Sequence, residues 1–303
     1  MVTVDAAMIA TFVDVVFSYC DGLIPVRAFA DKGHAESGPP KTIWIVNDGT
    51  AAAKLAAFAT SAAQTGIAIY VVPGTVAAEG QARAADVRQM QTVLVDLDTG
   101  EIPRKLAHLI QHLGQPTLVV QSGGRTVEGA DKIHVWWRLN EPAEGADLDA
   151  LCRLRGVIAD KVGGDTHFRS AHQPIRVAGT VHQKTGHRRL ATILQHQPGA
   201  DVDLADFAEA VDAMPILPGS GFQPLHDPVR PGVDIVMTTP VREAARMRGR
   251  GSKVPVRRSA TLSVRSMTVA LRGRTRGRQS ANTMLRCCDH LGQSSDSGTR
   301  SGA

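Results

Sequence analysis

Apolar positions along the chain alternate between two rhythms. In some stretches they recur three and four residues apart, and in others they run uninterrupted for four to six residues. The first rhythm predicts helices and the second predicts buried strands. Residues 1–19 carry Met8, Phe12, Val16 and Phe17 near one helical face. Residues 22–29 read as a short extended segment, and 31–41 (DKGHAESGPPK) as a polar Gly/Pro loop. A strand is expected over 42–47, an Ala-rich helix over 49–66 stopped by Gly66, and a strand over 67–73. Residues 81–90 read as a short helix or turn.

The aliphatic run QTVLVDLD (91–98) predicts a buried strand. The helix expected over 102–114 has Pro103 in its first turn and Leu106, Leu109, Ile110 and Leu113 as its inner stripe, with Gly114 ending it. A strand at 116–122, a Gly-rich turn and a strand at 132–139 predict an antiparallel hairpin. A helix follows at 147–163. IRVAGT and residues 188–197 look extended, and 203–214 forms the last helix. Strands and helices interleave up to about residue 215, so the expected fold class is α+β, a mixed sheet with flanking helices. The chain shows no internal repeat.

Composition changes this picture little, but charge divides it. The whole chain has a formal net charge of +5. Residues 241–303 hold 14 Lys/Arg against 3 Asp/Glu, whereas residues 1–240 hold 20 against 26. The basic character therefore belongs to the tail, and the overall charge is no argument for nucleic-acid binding by the domain. The expected division is a domain over 1–235 and a low-order basic tail over 236–303. Segments 259–271 and 280–292 can be encoded by codons that, read one base earlier, give ordinary domain-like sequence. The tail is accordingly read as a frameshifted segment in preference to a nucleic-acid-binding arm. No run reaches 18 apolar residues, and the N-terminus lacks a basic leader region, so neither a membrane span nor a signal peptide is expected. Cys20, Cys152, Cys287 and Cys288 form no zinc spacing, and the expected compartment is a reducing cytoplasm.

The chemistry sits in three stretches. In VLVDLDTG, Asp96 and Asp98 stand two apart on a strand and so share a face, with Leu97 turned to the core. Two adjacent carboxylates repel unless a divalent cation such as Mg²⁺ or Mn²⁺ resolves the conflict. The plainer alternative is a strand leaving the core, with Asp98 or Thr99 near the start of the next helix. In QSGGRTVEGADKIHVWWRL, Gly123 and Gly124 follow Ser122 and permit close approach of a backbone. His134 shares its face with Lys132 and Trp136; a histidine beside tryptophans is more often a hydrogen-bonded core or edge residue, but after a glycine turn and with Lys132 the set suits a phosphate contact. In GGDTHFRSAHQPIRVAGTVHQKTGHRR, Asp165 follows two glycines, and Arg176, Thr180, Lys184, Arg188 and Arg189 make a basic stretch in an acidic domain. The four histidines of this stretch show no helical ligand spacing, so no histidine metal site is expected.

In this order, the three stretches resemble the archaeo-eukaryotic primase superfamily, in its branch of RepB-like plasmid and phage replication primases. The resemblance spans roughly residues 10–235. It implies a primase-like (RRM-like) sheet with flanking helices, and primer synthesis on single-stranded DNA from nucleoside triphosphates by two-metal nucleotidyl transfer. It implies that Asp96, Asp98 and Asp165 hold two Mg²⁺ or Mn²⁺ ions and that His134 contacts the incoming triphosphate. Arg176 and Lys184, with Lys132 and Ser122, would hold phosphate or template. One departure is that Gly164, not a hydrophobic strand residue, precedes Asp165. The chain has no G-x₄-G-K-[ST] loop, so unwinding would fall to a helicase or initiator partner or to a downstream region. Two other readings stand beside this one. A haloacid-dehalogenase-like phosphatase would use Asp96 as nucleophile, although the fourth residue after Asp165 is Arg169 instead of the second acid such enzymes need. The other is a replication-associated DNA-binding module with an inactive site.

Overall fold

A computed structural model describes residues 2–30, 41–184 and 187–220, with Ala30 and Lys184 described by their backbone alone. Most of the loop expected at 31–41, the boundary at 235 and the tail at 236–303 with its frameshift reading lie outside the described residues.

The elements in chain order are α1 (Ala6–Phe17), β1 (Leu23–Ala30), β2 (Lys41–Val46), α2 (Ala51–Gln64), β3 (Ile67–Val71), β4 (Thr75–Val76), β5 (Val87–Leu97) and α3 (Ile102–Leu113). They continue with β6 (Leu118–Arg125), β7 (Asp131–Glu144), α4 (Gly145–Val162), β8 (Ile175–Arg176), β9 (Val181–Lys184), β10 (His187–Leu190), β11 (Thr192–His196) and α5 (Leu204–Ala213). Among the described residues, nine strands join into one sheet in the order β11-β6-β7-β5-β4-β1-β3-β8, with β2 on β1, and β9 and β10 form a separate hairpin. Every ladder between these strands is antiparallel, not only the β6–β7 hairpin that the sequence announced. The α+β class stands.

The two faces of β5 explain the architecture. Val93, Val95 and Leu97 pack with Val135 and Trp137 of β7 in a core covered by α3, α4 and α5. Leu94 and Trp136 point the other way, into a second core built from α1, α2, β1 and β3. A strand apolar on both faces reads as an unbroken hydrophobic run, which is why 91–98 was so legible. Both tryptophans are fully buried. Phe12 of α1 meets the Trp136 ring edge-on at 5.4 Å. Beneath β5, the fully buried Arg155 of α4 donates Nη2 to the Thr92 carbonyl at 2.6 Å, tying the helix to the strand.

Residues 81–90 depart from expectation. Only Ala84–Asp86 is helical, a single 3₁₀ turn, and β5 begins at Val87, four residues before the predicted strand. The polar look of this segment has a tertiary cause. Gln89 accepts the Asp21 N–H, and the fully buried Gln91 accepts the Tyr19 N–H and donates to the Val15 carbonyl at 2.9 Å. These side chains satisfy backbone groups at the C-terminal end of α1, a task no local pattern reveals. Likewise, Gly123 and Gly124 lie inside β6, and the turn of the hairpin is formed by residues 126–130. Along α3, Leu109 and Leu113 are buried as expected, Leu106 and Ile110 are half-buried, and Lys105 takes a buried place by donating to the Thr99 and Gly163 carbonyls.

Replacing Gln91 with Leu keeps the volume but strands two backbone groups in the interior. The expected cost is about 2–3 kcal/mol of unfolding free energy, measured as a lower denaturant midpoint with an unchanged slope. A midpoint equal to wild type would show that Gln91 does not hold α1 to the sheet.

Candidate active site

Beyond Leu94 and Trp136, at one end of β5, a cavity of about 630 Å³ opens on the second-core face of the sheet. The antiparallel register places Asp96 directly across from His134, which in turn sits across from Val120 of β6. One step inward, the same face carries Leu94 and Trp136 in the second core. The strand thus passes from oil to acid within two residues.

Asp98 follows the end of β5 and pairs with Lys132 of β7, Nζ to Oδ2, at 3.3 Å. Asp98 and Thr99 do not cap α3, whose cap position is Glu101. Asp165 reaches the same cavity from the end of α4. Gly163 stops that helix in a left-handed conformation, and the Asp165 N–H then donates to the Asp96 carbonyl at 3.0 Å. Its side chain accepts the His167 N–H at 2.9 Å and lies 2.5 Å from His167 Nδ1. Arg176 arrives from β8, paired in register with Tyr70 of β3. Its Nη2 donates to the Tyr70 hydroxyl at 2.5 Å, and its guanidinium lies 4.6 Å from the ring centroid.

Asp96, Asp98, Asp165, His134, Ser122, Lys132 and Arg176 therefore all line one cavity. Lys184 ends β9 at the β9–β10 hairpin, and its side chain lies outside the described residues. Tyr70, Gln173, His182, His187 and Arg189, to which the sequence reading gave no site role, also line this space. Tyr70 gave no signal beyond strand alternation, and the remaining four belonged to a stretch already noted as basic and histidine-rich. Gly123 has φ +79°, and a Cβ there would meet the Cβ of His182 at 2.8 Å. What the glycine admits is the protein's own β9–β10 hairpin, not a ligand.

Burial, then the neighbouring charges of Asp98 and Asp165, push the Asp96 carboxyl up to about 8, with Lys132 and Arg176 working against them. Burial, with help from the Arg176 charge, holds the His134 imidazole down at about 3, so it is neutral near pH 7. Its Nε2 stands 3.9 Å from Asp96, too far for a hydrogen bond. Burial also lowers Arg176, opposed by Tyr70 and Asp96. His134 Nδ1 and Arg176 Nη1 are buried without a hydrogen-bond partner in the protein. Buried polar atoms open at a cavity wall are available to water, an ion or an arriving ligand.

Three acids, a guanidinium, an imidazole and the Ser122 hydroxyl thus line one cavity. Hard divalent cations take carboxylate oxygens, and these three acids are the residues here that can supply them. Among the described residues, no three His, Cys, Asp or Glu side chains stand already arranged as a metal cluster. Asp98 and Asp165 are each turned to a partner of their own. No helix of the described residues is long and apolar enough to cross a membrane.

No protein-family profile matches the chain, and no curated protein does. Solved structures do. The AEP domain of the cyanophage S-2L primase-polymerase is similar over 69% of this chain and 99% of its own, at 19% identity and a TM-score of 0.52. Primase RepB′ aligns over 69% of this chain and 62% of its own, at 13% identity and a TM-score of 0.47. The described domain shares its fold with the S-2L AEP domain.

Proposed function

We propose that this domain is a DNA-directed primase or polymerase that joins nucleotides on a single-stranded DNA template. The observation that carries the reading is the convergence of Asp96, Asp98 and Asp165 with Arg176 and His134 on one cavity of a primase-like fold. The donor set suits a divalent metal once Asp98 and Asp165 turn from their present partners: three acids from two separate elements, with Asp96 pushed toward its neutral form first by burial and then by the other two. Two Mg²⁺ or Mn²⁺ ions bound there would supply activation of a 3′-hydroxyl and neutralisation of the triphosphate's charge. Asp96 and Asp98 would hold them, with Asp165 as the third acid. Arg176, fixed by Tyr70, would offer its open Nη1 to phosphate oxygen. His134 would donate as a neutral imidazole from the floor of the site, and Ser122 would add a hydroxyl. Lys132 and Lys184 are the further candidates for phosphate or template. The template would be held by its backbone along the basic β9–β10 hairpin, where Arg189 lines the cavity. Strand opening would come from a helicase or initiator partner.

The phosphatase reading lacks its second half. Arg169, four residues after Asp165, pairs with Asp160 at 3.0 Å and brings no further acid to the cavity. Turnover of a generic phosphomonoester would restore that reading.

The reading is tested by primer synthesis from labelled nucleotides on single-stranded DNA with Mg²⁺ or Mn²⁺. Wild type is expected to make product. Asp96→Ala combined with Asp98→Ala is expected to lose at least about a hundredfold in rate while keeping its circular dichroism spectrum. Equal synthesis by both proteins rejects the site, and template binding without synthesis by wild type favours an inactive binding module.

A second expectation concerns stability in the presence of a chelator. Asp96 ionises near 3.8 when unfolded and at about 8 when folded. A raised folded-state value means that stability is lost as pH climbs through that window. Asp96→Asn should therefore melt at or above the wild-type temperature, with a gap that widens from pH 4 to about 8. A variant that melts lower throughout would show that the carboxyl is not under this strain.

A further inference from the structure

Lys132 is the one lysine that forms an ion pair with an acid of this site among the described residues. Its Nζ stands 3.3 Å from Asp98 Oδ2, with 30% of its side chain and 34% of that of Asp98 exposed. The approach is built by a glycine. A Cβ at Gly124 would stand 3.2 Å from the Lys132 Cδ and 3.5 Å from Ser122 Oγ, so the bare backbone of β6 leaves the channel through which the lysine stem passes. The ammonium also acts on the neighbouring acid, stabilising the charged form of Asp96. Exposure matters here. A pair this open to water is weak enough to break and re-form, whereas Arg176 is 7% exposed and locked to Tyr70.

We infer that Lys132 is a tethered counter-ion that occupies a cation position on Asp98 and gives it up to a metal when a triphosphate arrives to receive the ammonium. The inference rests on the nucleotidyl-transfer reading and extends it from residue roles to the order of binding. A metal entering alone must displace the ammonium into water. A metal entering with a triphosphate moves it onto phosphate oxygen at the edge of the same cavity. Metal and nucleotide then strengthen one another's binding, and by linkage the coupling is the same seen from either ligand. The consequence is a site that holds metal poorly until nucleotide is present, which spares it from idle occupation by abundant divalent cations.

The test is a calorimetric Mn²⁺ titration of the whole chain, without and with a saturating non-hydrolysable nucleoside triphosphate. Wild type, Lys132→Met, Lys132→Arg and Gly124→Ala are compared after their spectra show them folded. Mn²⁺ alone should bind Lys132→Met about three- to tenfold tighter than wild type, and Lys132→Arg should return to the wild-type value. Gly124→Ala, which crowds the stem but leaves the charge in the chain, should shift affinity in the same direction as Lys132→Met. With the triphosphate present the advantage of Lys132→Met should vanish or reverse. Mn²⁺ affinity in Lys132→Met that is equal to or weaker than wild type overturns the inference, as does an advantage that the triphosphate leaves unchanged. Those outcomes leave the metal site itself intact if wild type binds Mn²⁺ and Asp96→Asn does not. Absence of Mn²⁺ binding in every protein, with triphosphate or without, overturns both the inference and the metal-dependent reading beneath it.

Discussion

Like charges at the end of a buried strand set the terms for this domain. Asp96 is held by the β5–β7 ladder one step beyond Leu94 and Trp136, where its carboxylate is mostly withdrawn from water and faces Asp98 and Asp165. Nothing in the fold neutralises it fully. The nearest group, His134, is itself buried and uncharged, and Arg176 acts from β8 without a direct hydrogen bond. A sheet packed on both faces keeps the acid from retreating, because a shift of one residue would carry Asp96 into the core beneath α4. The strain is thus maintained by the same packing that stabilises the rest of the domain, as is common where a site must be ready for a charged ligand.

The arrangement also divides labour between fixed and movable groups. Asp96, His134 and Arg176 sit within strands, with His134 and Arg176 buried and Asp96 half-buried. Asp98, Lys132 and Asp165 sit at strand or helix ends, are more exposed, and each hold an internal partner. Rigid groups define where a ligand must lie. Movable ones can change partner at little cost, so the acids that pair internally are the ones able to turn toward a cation.

The sequence disclosed the fold wherever a segment's local pattern and its tertiary role coincide. The runs around Val93 and Val135, half of the α3 stripe (Leu109 and Leu113) and the Gly114 stop read correctly, because burial on both faces or on one stripe writes itself into the order of apolar residues. It hid what depended on distant partners. The first four residues of β5 were missed, among them Gln89, which is polar because it accepts the Asp21 N–H beyond α1. The glycines of β6 were taken for a turn, whereas they make room for His182 and Lys132. For the site, strand periodicity put Asp96 and Asp98 on one face but left a strand simply leaving the core as an equal reading. Asp165, His134 and Arg176 needed the resemblance to a known family to be grouped with them, since they come from separate elements far apart in the chain. Tyr70, which orients Arg176, left no mark, as a tyrosine in a half-buried strand has many ordinary explanations.

The central claim is that these three acids together grip divalent cations. The most direct measurement is a crystal of the domain grown with Mn²⁺ and a non-hydrolysable triphosphate, with anomalous scattering used to locate the metal. The account predicts manganese bound between the carboxylates of Asp96, Asp98 and Asp165, with phosphate oxygens toward Arg176 and His134. Manganese elsewhere, or a triphosphate lying away from these residues while the acids keep their internal partners, would contradict it.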